Sequence, residues 1–115
     1  MNQEKILVKQ FELVPEFTNQ QSFYGKAKVE EYEFNSFKLF SYDTLIAKTI
    51  DGELVYLSDD TSHYTNTTNR HLNEFFVQFA NLPKMTKKDI LRSVEYLKRY
   101  DVLRYRMDLD RLKNN

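Results

Sequence analysis

The stretch FKLFSYDTLIAKTIDGELVYL, residues 37–57, predicts the centre of a β-sheet. Its first part, 37–50, alternates between two faces and is rich in branched and aromatic residues, which is typical of a long strand. Asp51 and Gly52 follow, and the apolar run 53–57 comes next. An Asp-Gly pair between two apolar runs favours a two-residue hairpin, because both turn residues must adopt positive φ. We therefore expect an antiparallel hairpin at this pair.

Two earlier segments extend the predicted sheet. Residues 5–14 are rich in branched apolar residues and end before a proline, which suits an edge strand. Residues 23–34 alternate in polarity and place the small residues Gly25 and Ala27 on one face. The expected result is an antiparallel meander of three to four strands, whose inner face has room for bulky side chains.

Helical periodicity begins after the polar loop 58–63. Thr65 is placed to be the N-cap of a helix over 65–81, because its hydroxyl can accept a free N–H of the first turn. One apolar stripe follows at i, i+3, i+4 and i+7 spacing and consists of Leu72, Phe75, Phe76 and Phe79. We expect these side chains to cover the small residues of the sheet.

A second helix is predicted over 85–100, with Thr86 as its N-cap. Residues 102–115 fit a helix and a strand equally well by periodicity, and their Leu, Arg and Met content favours a helix. The predicted fold class is therefore α+β: a small antiparallel β-sheet packed against one helix, followed by a C-terminal helical segment. We expect a module over 1–83 and a basic helical extension over 84–115 that packs on the same domain.

Composition excludes several classes of protein. The 115 residues include no cysteine, which rules out a disulfide scaffold, a thiol nucleophile and a thiolate metal site. No run of about 18 apolar residues occurs, and the N-terminal sequence lacks a signal-peptide core, so we expect a cytoplasmic protein with no membrane partner. The net charge is −5 over 1–83 and +5 over 84–115. This asymmetry suits a basic arm for nucleic acid, a homo-oligomer, or packing of the two parts within one chain.

Three motifs occur in a fixed order: FYGKA at 23–27, SYDTLIA at 41–47 and YTNTTNRHLNEFF at 64–76. Their order and spacing resemble a family of small, mostly uncharacterised proteins carried by phages, plasmids and integrated elements of low-GC Gram-positive bacteria. The resemblance covers about residues 23–79, with Thr65 where that family usually has Ser. It implies an accessory protein of a phage or mobile element that acts inside the bacterial host cell, and it implies no reaction.

Carried onto this chain, the motifs mark a candidate binding set that consists of Asp43, Tyr64, Thr67, Thr68, Arg70 and His71. Hydroxyls and an arginine at a helix start can hold a phosphate or another anion, because the first turn exposes free N–H groups. The alternative is structural: the threonines cap the helix and bond to the neighbouring loop, while Arg70 pairs with Glu74 at i, i+4.

Catalytic and metal chemistry have weaker support. His71 beside Asp43 would form a base with an orienting carboxylate, but no nucleophile or oxyanion donors can be assigned. With only two glycines, the chain has no Gly-rich phosphate loop. Three or four converging ligands would be needed for zinc, and the pattern does not supply them. We therefore predict no catalytic residues, no metal and no cofactor.

The leading hypothesis is a non-catalytic accessory protein that binds, and by extension inhibits, a host or element-encoded protein. The alternative is nucleic-acid binding through the basic C-terminal segment, because clustered cations attract phosphates. The cationic residues of that segment are Lys87, Lys88, Arg92, Lys98, Arg99, Arg104 and Arg106. Glu95 and Asp101 interrupt this set, which would also suit an ordinary solvated helix face.

Overall fold

The computed structural model describes residues 6–99 of the chain. Five antiparallel strands form one sheet in sequence order, so the sheet is a meander. The strands are β1 (Leu7–Glu12), β2 (Ala27–Tyr32), β3 (Ser36–Ser41), β4 (Thr44–Ile50) and β5 (Glu53–Leu57). A short 3-10 helix at Thr61–His63 precedes two α-helices, α1 (Asn66–Phe79) and α2 (Lys87–Arg99). The α+β prediction is confirmed, with five strands rather than three to four.

The prediction of a single strand over 37–50 is wrong, because a turn at Tyr42 and Asp43 divides it into β3 and β4. Both turn residues are left-handed, with φ of 51° and 63°. Ser41 pairs with Thr44 across this two-residue turn. Left-handed turn positions usually carry Gly, Asn or Asp, so a tyrosine there gave no turn signal and its ring fitted the strand pattern.

The predicted strand over 23–34 also begins later than expected, at Ala27. Tyr24 and Gly25 instead form a tight turn, in which the Lys26 N–H donates to the Phe23 carbonyl at 2.9 Å. Both turn residues have positive φ, 54° and 73°, which corresponds to a type I′ turn. Gly25 is therefore a turn residue and not part of the inner sheet face.

The hairpin predicted at Asp51 and Gly52 is confirmed, and both residues have positive φ. The Thr65 cap is confirmed as well, since its Oγ1 accepts the Thr68 N–H at 3.2 Å. Thr86 Oγ1 accepts the Asp89 N–H at the start of α2 in the same way, also at 3.2 Å. The predicted conformation of 102–115 lies outside the described residues.

Small residues on the inner sheet face allow the aromatic helix α1 to pack closely. Ala27 and Ala47 are completely buried, and so are Phe75 and Phe76 of α1. Ile90 of α2 belongs to the same hydrophobic core. One continuous core therefore joins the sheet to both helices.

Neither helix within residues 6–99 has the length and apolar character that a membrane span requires.

Phe75→Ala should destabilise the protein by about 3–5 kcal/mol, because it removes a ring from a packed core and leaves a cavity. Phe34→Ala is the matched control, since Phe34 is 72% exposed in a turn and its truncation should change stability by less than about 0.5 kcal/mol. Urea unfolding followed by circular dichroism measures both. Equal losses in the two variants would contradict the core described here.

Candidate functional site

The three sequence motifs meet at His71. The Ser41 Oγ atom lies 2.8 Å from His71 Nδ1 and 2.9 Å from Thr68 Oγ1, within hydrogen-bond distance of both. The Phe23 ring packs edge-on against the imidazole at a centroid distance of 4.6 Å. The Tyr42 ring also contacts the imidazole, in a tilted arrangement at a centroid distance of 5.9 Å. His71 therefore connects α1 to β3 and to both motif turns.

The environment keeps His71 neutral. Its side chain is only 1% exposed, and burial lowers its pKa to about 4, with a smaller contribution from the positive charge of Arg70. Ser41 is buried beside it. An imidazole with this pKa is a weak base at neutral pH, and its hydrogen bond to Ser41 joins α1 to β3.

The structure does not bring together the His71–Asp43 pair that was considered as a catalytic base. Asp43 lies on the β3–β4 turn, highly exposed, with its carboxylate 3.6 Å from Lys28 Nζ. The imidazole Nδ1 is instead taken by Ser41. The two candidates lie in different environments, one in the core and one in solvent.

Tyr64 is a buried structural residue. Its hydroxyl donates to the Ser58 carbonyl at 2.6 Å, and burial raises its pKa above the usual range. Thr68 is also buried, and its hydroxyl is occupied by Ser41. These two members of the candidate binding set therefore hold the 58–68 segment in place, and Thr68 also lines the pocket beside the start of α1.

Glu74 does not serve as a simple surface partner for Arg70. Its fully buried carboxylate accepts the Phe17 N–H at 3.0 Å and the Gln78 amide at 2.6 Å. Gln78 also donates to the Val14 carbonyl at 2.9 Å. These bonds attach the loop between β1 and β2 to the side of α1, and Arg70 lies exposed on the same helix.

A pocket of about 460 Å³ opens beside the start of α1. Its walls are rich in hydroxyl groups, and the half-buried Thr67 is one of them. On this rim the His63 Nδ1 atom lies 2.8 Å from Ser58 Oγ, and the His63 Nε2 atom lies 3.4 Å from Asp60 Oδ2. No group of three or more potential metal ligands occurs within residues 6–99. The polar atoms of the rim are thus largely bonded to one another.

Five exposed or half-buried members of the three motifs lie on the two tyrosine turns and on the first turns of α1, near the buried histidine. We call these five the motif surface: Tyr24, Tyr42, Asp43, Thr67 and Arg70. Tyr24 is 75% exposed and Tyr42 is 53% exposed. The two turns that carry the tyrosines adjoin, because the Tyr42 N–H donates to the Lys26 carbonyl at 2.8 Å. Tyr24 was not among the sequence candidates, and the one local turn signal beside it is Gly25.

The described basic residues of α2 lie apart from this cluster. Lys87, Lys88, Arg92 and Lys98 are exposed along the helix, and Arg92 lies 3.9 Å from Asp89. The Arg99 side chain and the residues Arg104 and Arg106 fall outside the part of the chain that the structure describes. The described portion is consistent with a solvated helix face.

A model for a family of unknown function matches residues 11–92, which is most of the chain. The chain belongs to DUF8033. The DUF8033 match includes all three motifs and continues into α2 as far as Arg92. No curated protein and no solved structure matches the chain.

The buried imidazole of this DUF8033 chain should make stability depend on pH. His71 has a pKa of about 4 when folded and about 6.5 when unfolded, so the unfolded state takes up more protons as the solution is acidified. The contribution of the neutral, buried His71 to the free energy of unfolding is complete above pH 6.5 and is lost as the pH falls towards 4. At pH 5 the free energy of unfolding is lower by about 2 kcal/mol. Urea unfolding at pH 7 and pH 5 measures it.

His71→Gln should abolish most of this pH-dependent loss, whatever its effect on stability at pH 7. His63→Gln is the control, because that histidine lies on the rim and its removal leaves the buried imidazole unchanged. If the loss between pH 7 and pH 5 survived in His71→Gln and disappeared in His63→Gln, the assignment to the buried histidine would be wrong.

Proposed function

We propose that this chain is a non-catalytic accessory protein that binds another protein through the motif surface. The observation that carries the proposal is the pair of exposed tyrosines, Tyr24 and Tyr42, each held in a left-handed turn conformation. Tyrosine and arginine are the residues most often found at the energetic centre of protein interfaces. The motif surface contains two tyrosines and Arg70 within a small area around one buried histidine.

Backbone strain supports a functional reason for these tyrosines. A left-handed conformation costs a residue with a Cβ atom about 1 kcal/mol, and Asn or Gly would occupy these positions with less strain. Tyr24 recovers little of that cost through burial, since it is 75% exposed, whereas Tyr42 is 53% exposed and its ring contacts His71. Strain that is not offset locally is characteristic of binding sites, where the side chain is needed for recognition.

The setting comes from the motif resemblance described above. Proteins with these motifs are carried by phages and other mobile elements, so we propose a host or element-encoded protein as the partner, within the bacterial cytoplasm. Inhibition of that partner is the simplest effect for a small protein without a catalytic apparatus. The low basicity of His71 and the burial of Ser41 support a binding role over an enzymatic one.

Tyr24→Asn and Tyr42→Asn test the proposal because they should separate stability from binding. Each places a favoured residue in a left-handed turn, which should raise the free energy of unfolding by about 0.5–1 kcal/mol in Tyr24→Asn; in Tyr42→Asn the lost contact with the His71 ring offsets part of this gain. Each also removes an exposed ring, so capture of the partner should fall at least tenfold. The measurements are urea unfolding and a nuclease-treated pull-down from low-GC Gram-positive cells, with and without phage infection.

Phe34→Asn is the matched control. Phe34 is also exposed and left-handed, with φ of 64°, but its turn lies at the opposite end of the β2–β3 hairpin from Tyr42. This variant should gain similar stability and retain the partner. Loss of the same protein band from all three variants, or from none, would contradict binding through the motif surface.

A further inference from the structure

The outer face of the sheet carries a separate set of side chains. The inner face is buried under α1 and α2, whereas the alternate residues of β2 to β5 point to the other side. No helix among residues 6–99 packs on that side, and its side chains are half-buried by one another. We call this set the outer face, and its central members are Glu30, Tyr32, Lys38, Lys48 and Tyr56.

Two lysines lie directly opposite each other at the centre of the outer face. Lys38 of β3 and Lys48 of β4 are cross-strand partners in the antiparallel ladder. Like charges in this arrangement repel and weaken strand pairing. The pKa of Lys48 is lowered by partial burial and by the charge of Lys38. An anion placed between the two ammonium groups would remove this repulsion.

Each lysine is also associated with an aromatic ring. Lys38 Nζ lies 4.4 Å from the centroid of Tyr32, and Lys48 Nζ lies 5.1 Å from the centroid of Tyr56. Across β2 to β5 the two lysines are therefore adjacent, and one ring lies on each side of the pair. This combination, aromatic faces beside cations on a sheet, is how proteins hold unpaired bases and their phosphates.

We propose that the outer face binds single-stranded nucleic acid, with a backbone phosphate between Lys38 and Lys48 and bases on Tyr32 and Tyr56. The phosphate attracts both ammonium groups away from the rings they cover, and this movement opens the ring faces for stacking. A duplex is a poor ligand for the same face, because its base faces are already stacked.

Glu30 limits the affinity of this site. It pairs with Lys38 across β2 and β3, and its carboxylate accepts the Tyr32 hydroxyl at 2.6 Å. The central row of the outer face thus has two positive charges and one negative charge. We expect modest affinity that is sensitive to salt. The site is distinct from the motif surface and from the exposed lysines of α2.

The test is fluorescence anisotropy of the full chain with a labelled single-stranded oligonucleotide of mixed sequence at low salt. The double variant Lys38→Gln/Lys48→Gln should weaken binding at least tenfold and reduce the slope of log affinity against log salt by about 0.7, which is the contribution of the one phosphate that the two lysines share. This variant removes a repulsive pair, so it should fold at least as well as the wild type, which circular dichroism checks.

Tyr56→Leu tests the stacking contribution and should weaken binding of the single strand severalfold without changing the salt slope. Lys87→Gln/Lys88→Gln is the matched charge control and should leave the affinity within twofold. Absence of binding by the wild type, equal affinity for a duplex or for polyglutamate, or a loss confined to the α2 variant would each overturn the proposal.

Discussion

The position of α1 over the sheet depends on the small side chains below it. Ala27 of β2 and Ala47 of β4 are fully buried on the inner face, on either side of β3, and larger residues there would keep the Phe75 and Phe76 rings away from the strands. Because the rings pack closely, Ser41 of β3 comes within 2.8 Å of His71 on α1. The hydrogen-bonded cluster is thus a consequence of the aromatic packing.

The buried cluster and the exposed tyrosines form one unit with two roles. His71 contacts the rings of Phe23 and Tyr42, which belong to two different turns. The imidazole thereby contacts one residue of each turn, while the ring of Tyr24 in the first turn projects into solvent. Contacts that hold a turn in one conformation reduce the conformational entropy that its exposed tyrosine loses on binding. This lower entropy cost favours binding through that tyrosine.

Local signals in the sequence predicted the elements that depend on local physics. The Asp51-Gly52 hairpin and the Thr65 cap were predictable, because a turn type and a free N–H each demand a particular residue. The turn at Tyr42 and Asp43 was not, since the chain retains a strained tyrosine where those rules expect Asn or Gly. The Ser41–His71 contact spans 30 residues and arises only from tertiary packing, so no motif spacing indicates it.

Each proposed site contains a local feature that destabilises the fold, and the two features differ in physical kind. At the motif surface the cost is conformational, because tyrosines adopt left-handed backbone angles. On the outer face the cost is electrostatic, because Lys38 and Lys48 oppose each other across two strands. Single substitutions would remove either the backbone strain or the charge repulsion, so stability alone does not account for these residues. Their position at the hairpin turns and on the outer face of the sheet leaves the ring packing of α1 untouched, so each can be retained for binding without weakening the core.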